Sequence, residues 1–97
     1  MKSLEDHKIT LGKAYDLIRN AVNDDTVAVT MSLCWDGACY DAEVLTASLD
    51  MVTLKLSDYD VIADIPVKDI TEIYLMDNNI IHIFTNGKYS VMIYIVD

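Results

Sequence analysis

Hydrophobic and polar residues alternate most clearly from Val27 to Trp35, where Val27, Val29, Met31, Leu33 and Trp35 are separated by Ala28, Thr30, Ser32 and Cys34. A period of two marks a strand with one buried and one wetted face. Asp36-Gly37 follows, a pair suited to the two left-handed positions of a type I′ hairpin turn. With those two residues as the loop, Trp35 stands opposite Ala38, Leu33 opposite Tyr40, Met31 opposite Ala42, Val29 opposite Val44 and Val27 opposite Thr46. The polar face pairs Cys34 with Cys39, Ser32 with Asp41 and Thr30 with Glu43. A slip of one residue would turn Asp41 and Glu43 toward the core, so this register is strongly specified.

Upstream the period becomes helical. Leu11, Ala14, Tyr15, Ile18, Ala21 and Val22 share one side, and Lys13, Asp16, Arg19, Asn20 and Asn23 the other. Thr10 is placed as an N-cap and Asn23-Asp24-Asp25 as a stop, which predicts a helix over 10–24 after a short lead-in at 1–9, where Ser3 and Asp6 are spaced to cap a turn. Downstream, Val52, Leu54 and Leu56 mark a strand, Ser57–Asp60 a polar turn, and Val61–Ile65 a strand closed by Pro66. Val67–Asp69 reads as a tight turn into a strand reaching Leu75, and Asp77-Asn78-Asn79 as a further turn.

The last unit, 79–97, reads as a second hairpin around Asn86-Gly87, again a two-residue type I′ signal. One face carries Ile80, His82, Phe84, Tyr89, Val91 and Ile93, and the other Ile81, Ile83, Met92 and Tyr94. Strands apolar on both faces must be covered on both. One helix cannot do that alone, so either the barrel closes around the hairpin or a second subunit covers it, and self-association or partner binding through Ile81, Ile83, Met92 and Tyr94 is expected.

The whole is a single domain, 1–97, mainly β with one N-terminal helix (α+β). The expected architecture is a small SH3/Sm-like antiparallel barrel over 26–75 plus a C-terminal hairpin. Val27-Ala28-Val29, Asp36-Gly37 and Tyr40-Asp41-Ala42-Glu43-Val44 look like the first two strands of the Sm-like small β-barrel family, and Val52-Thr53-Leu54 like its third. Val67-Lys68-Asp69-Ile70-Thr71-Glu72-Ile73 resembles that family's closing loop and strand, so the resemblance spans about 11–73. It implies a barrel, and in the family a ring that binds RNA or nucleotides. The chain departs at the nucleotide-stacking loop, here Ser48-Leu49-Asp50-Met51, and shows no basic RNA-contacting loop, since Lys68 stands between Asp64 and Asp69. A PH-like barrel is the rival, but its usual closing helix is C-terminal and this chain ends on a strand.

Charge changes the functional picture more than the fold. The net charge is −9, with 16 acids against 7 Lys and Arg, and all the excess lies beyond residue 24. Such a surface repels phosphate, which makes direct nucleic-acid contact unlikely. Acidity also keeps a chain that is 53% apolar in solution. No apolar run reaches membrane-spanning length, and the charged MKSLEDHKITLGK start lacks an apolar leader core, so a cytoplasmic, non-membrane protein is expected.

Candidate chemistry is sparse. Cys34 and Cys39 form no zinc pattern; as close cross-strand neighbours they could form a disulfide, and reduced thiols are the expected state. Asp58-x-Asp60-x3-Asp64 opens like a calcium loop, but Ile62 takes a ligand position and the glycine is missing. His82 among Ile and Phe reads as a packing residue. No nucleophile elbow or phosphate loop occurs, so no enzyme, cofactor or metal is expected. The remaining reading is a non-enzymatic acidic binding protein, an inhibitor or adaptor docking on the basic surface of a protein target. By size and charge it is similar to anti-CRISPR and toxin-immunity proteins of phage or mobile elements. Its partner-binding residues would be Asp41, Glu43, Asp58, Tyr59, Asp60 and Asp64. The alternative is an Sm-like homo-oligomer holding a small nucleotide or RNA end in a ring or inter-subunit pocket.

Overall fold

The computed structural model describes residues 4–77, 79–87 and 89–96. The spacing of Ser3 and Asp6, the centre of the Asp77–Asn79 turn, Lys88 and the terminal Asp97 fall partly or wholly outside them. A 3-10 turn, Leu4–His7, leads to helix α1, Leu11–Val22, and then to eight strands. These are β1 (Ala28–Trp35), β2 (Ala38–Glu43), β3 (Thr46–Leu49), β4 (Thr53–Ser57), β5 (Ile62–Pro66), β6 (Ile70–Met76), β7 (Ile80–Thr85) and β8 (Tyr89–Val96). All ladders are antiparallel, in a five-stranded sheet ordered β2-β1-β8-β7-β6 and a three-stranded sheet ordered β3-β4-β5.

The helix begins where expected. The Thr10 hydroxyl oxygen accepts the Lys13 N–H at 3.2 Å, and Asn23 closes the last turn on the Arg19 carbonyl. Ala14, Ile18 and Ala21 enter the core. There they meet Val29, Met31, Val91, Ile93, Ile81, Ile83 and Ile73 from the five-stranded sheet and Leu54, Leu56, Ala63 and Ile65 from the three-stranded one. The first hairpin has the expected register from Trp35–Ala38 through Thr30–Glu43, with Asp36 and Gly37 at φ of 50° and 88°.

Two expectations are corrected. First, among the described residues the strands form two separate sheets and no closed barrel is found. At Val44 the chain still donates its N–H to Val29, but the Leu45 N–H turns to Ser57, so the strand leaves one sheet and enters the other. Thr46 therefore pairs with Ser57 rather than facing Val27.

Second, the C-terminal hairpin is central and its faces are exchanged. Phe84 pairs with Ser90 and Ile83 with Val91, leaving three residues, 86–88, between Thr85 and Tyr89 instead of two. One added loop residue moves every β8 side chain to the opposite face relative to β7. Ile81 and Ile83 consequently line up with Ile93 and Val91 in the core, while His82 pairs with Met92. Strand β8 also pairs with β1 along its whole length, so its edges are satisfied within the sheet while its inner face, Val91 and Ile93, lies in the core.

The end of the lead-in is paired with the sheet. Lys8 bridges to Tyr74, and the Ile9 N–H bonds the Ile73 carbonyl at 2.9 Å, so this segment caps the free edge of β6.

Candidate functional site

Strand alternation gives the five-stranded sheet an outer face, opposite the core. Reading across the strands, its rows run Cys39–Cys34–Ser90–Phe84, then Asp41–Ser32–Met92–His82–Tyr74, then Glu43–Thr30–Tyr94–Ile80–Met76. This face is graded. Its β2 margin carries two exposed carboxylates, Asp41 and Glu43. Its β1 seam is hydroxylic, and its β8–β7–β6 half is apolar and aromatic.

In that apolar half His82 stacks on Phe84 with ring centres 4.0 Å apart, and Phe84 meets Tyr74 edge-on at 5.7 Å. The Tyr74 hydroxyl donates to Glu72 at 2.6 Å, and that of Tyr94 to the Met92 sulfur at 3.5 Å. Burial against these neighbours lowers the pKa of His82 below the ordinary histidine value, because the interior disfavours the imidazolium. His82 is therefore neutral near pH 7.

At the end of the margin, Cys34 and Cys39 are joined as a disulfide, their Cα atoms 4.1 Å apart. They form a narrow, non-hydrogen-bonded cross-strand pair, where side chains approach most closely. This replaces the expected pair of reduced thiols.

The other expected partner-binding residues belong to the second sheet. The Asp58 side chain accepts the N–H groups of Asp60 and Val61, at 2.7 and 2.5 Å, and so builds the β4–β5 turn. Tyr59, at the tip of that turn, is 93% exposed. Asp64 lies on β5 beside Lys55, Nζ to Oδ1 3.8 Å, an exposed pair of little energetic weight. The six residues therefore divide between two sheets: Asp41 and Glu43 share the outer face, and Asp58, Tyr59, Asp60 and Asp64 do not.

The residues of the expected oligomer contact also divide. Ile81 and Ile83 are wholly inaccessible core residues, whereas Met92 and Tyr94 remain half-buried on the outer face. Only the latter two can touch a partner.

No protein-family model, curated protein or solved structure matches this chain. The site therefore has to be read from its own geometry. Among the described residues no three His, Cys, Asp or Glu side chains are gathered as a metal site requires, and no described helix is long and apolar enough to cross a membrane.

One feature escaped the sequence reading. Trp35 stacks flat on Tyr89, centres 5.4 Å apart, at the open end between the two sheets. With Leu33, Ile62, Ile65 and Asp64 they line a cleft of about 290 Å³. Trp35 was expected to face the core, yet it is 60% exposed. It sits at the last pair of β1, next to the hairpin turn.

Proposed function

We propose that this chain is a non-enzymatic binding protein, an inhibitor or adaptor that acts by presenting the acidic margin of its larger sheet to a basic surface on a protein target. The observation that carries this reading is the placement of Asp41 and Glu43. Both are exposed, both lie on one face of one strand, and across the Ser32–Thr30 seam of β1 they share rows with the half-buried Met92 and Tyr94. An apolar and aromatic patch edged by charge is the composition of a protein-recognition surface, where aromatics contribute affinity and rim charge contributes orientation and encounter rate.

The charge selects the partner's sign. Asp41 and Glu43 engage no basic side chain among the described residues, since the one ion pair there joins Lys55 to Asp64. They are available to Lys and Arg of another protein without breaking any bond of this fold.

The test is affinity capture from nuclease-treated lysate with wild type and with Asp41→Lys/Glu43→Lys, using Asp60→Lys as a control on the other sheet. A stoichiometric partner retained by wild type and Asp60→Lys but lost by the double reversal supports the reading. Retention by all three removes this surface from consideration.

A further inference from the structure

Four strand edges are open to comparison in the two sheets. That of β6 is capped by Lys8 and Ile9. Strand β3 lies under α1, where the Tyr15 hydroxyl reaches the Ala47 carbonyl at 3.5 Å. Strand β5 has only Ile62 and Asp64 with an outward N–H, because it closes on Pro66, and Lys55 already stands beside Asp64. Among the described residues the edge of β2 has neither a pairing segment nor a proline.

Its register says which backbone groups are free. The Val44 N–H bonds Val29, so hydrogen-bonded pairs with β1 fall at Ala42, Tyr40 and Ala38. The N–H and C=O groups of Cys39, Asp41 and Glu43 therefore point out of the sheet. Unpaired edge groups are a template for another strand. The same residues direct Asp41 and Glu43 side chains to the outer face, while Tyr40, 57% exposed, and Ala42 face the inner side.

We propose that the β2 edge receives an extended basic segment of the partner as an added antiparallel strand, with Lys or Arg at two alternate positions opposite Asp41 and Glu43 and an apolar residue between them beside Ala42. This rests on the acidic-surface reading above and names the form its partner takes. Charge argues against a second copy of this chain as the occupant. In the β2–β2 registers centred on Asp41, Ala42 or Glu43, acid stands directly opposite acid, which is destabilising. A basic strand in the same place turns each clash into a favourable cross-strand pair, and its backbone satisfies the free edge.

The test uses a short, capped, fluorescent peptide with a Lys-Val-Lys core, its binding to the full chain followed by fluorescence polarisation. In the antiparallel ladder both lysine N–H groups point into β2 and the valine N–H points away. N-methylation of the two lysine amides should weaken binding by about tenfold or more, because bonds to the edge are lost, while N-methylation of the valine amide should leave it nearly unchanged. Amide signals of Cys39, Asp41 and Glu43 should shift most on titration. These changes are made on the peptide, so folding of the protein is not at issue.

If all methylated forms bind equally and Asp41→Lys/Glu43→Lys still abolishes binding, the added strand is overturned while the acidic docking surface stands. If the double reversal leaves peptide binding unchanged, or no peptide binds at all, both are overturned.

Discussion

Ile81→Ala separates the core placement of β7 from the interface placement that sequence pattern favours. Ile81 is wholly inaccessible and stands between Leu75 on β6 and Ile93 on β8. Truncation removes most of its apolar side chain and leaves a cavity that the antiparallel ladders on both sides cannot close. Deletions of this kind cost about 2–5 kcal/mol, and this site, with strands fixed on either flank, belongs near the middle of that range, about 3 kcal/mol. A chain of this size has a urea slope of roughly 1–1.5 kcal/mol per molar, so the unfolding midpoint should fall by about 2–3 M. Ile80→Ala is the internal control. Its side chain points to the outer face and stays partly wet, so the same deletion should cost about half as much or less. Urea unfolding followed by the fluorescence of Trp35 measures both. Equal costs at Ile80 and Ile81, or a cost at Ile81 that grows with protein concentration, would refute the three-residue loop and return Ile81 to an interface.

Three further outcomes follow from local geometry. Thr10→Ala removes the oxygen that accepts the Lys13 N–H and should lower stability by about 1 kcal/mol, with amide exchange accelerated in the first turn of α1; unchanged exchange there would deny the cap. Opening the Cys34–Cys39 disulfide, by reductant or by Cys34→Ser/Cys39→Ser, releases a very short loop and should cost about 2 kcal/mol on the chain-entropy account, without unfolding the protein; loss of the fold would show that the bond does more than close the hairpin. His82 has a folded pKa below its unfolded value, so protons bind the unfolded state more readily. Its contribution is complete above the unfolded pKa of about 6.5 and is lost as pH falls through that value toward the folded one. His82→Phe should flatten that part of the stability–pH curve, and an unchanged curve between pH 7.5 and 5 would contradict the assignment.

Much of the fold was legible because the signals were local. Asp36-Gly37 and nine alternating residues define the first hairpin, since a slip of one residue would bury Asp41 and Glu43. Thr10 and the helical stripe locate α1 for the same reason. The second hairpin was not legible. Asn86-Gly87 supports both a two-residue turn and a three-residue loop, and the flanking strands are apolar on both faces, so burial does not choose between registers as it does in the first hairpin. The exit of the second strand at Val44–Leu45 was hidden too, because the Leu45 N–H finds its acceptor on Ser57, a residue the alternation does not link to it. Of the acidic residues, Asp41 and Glu43 were placed together by the hairpin register. Their separation from Asp58, Tyr59, Asp60 and Asp64 follows from the division into two sheets, which no local pattern announces.

The central claim is that the β2 margin docks a basic partner, and the most direct measurement is the dissociation constant of the captured partner for wild type and for Asp41→Lys/Glu43→Lys at low and physiological salt. The account predicts that the reversal weakens binding by about tenfold or more and that the wild-type affinity falls as salt rises, because the contacts at this margin are charged and exposed. Equal affinity for the two proteins at both salt concentrations would contradict it.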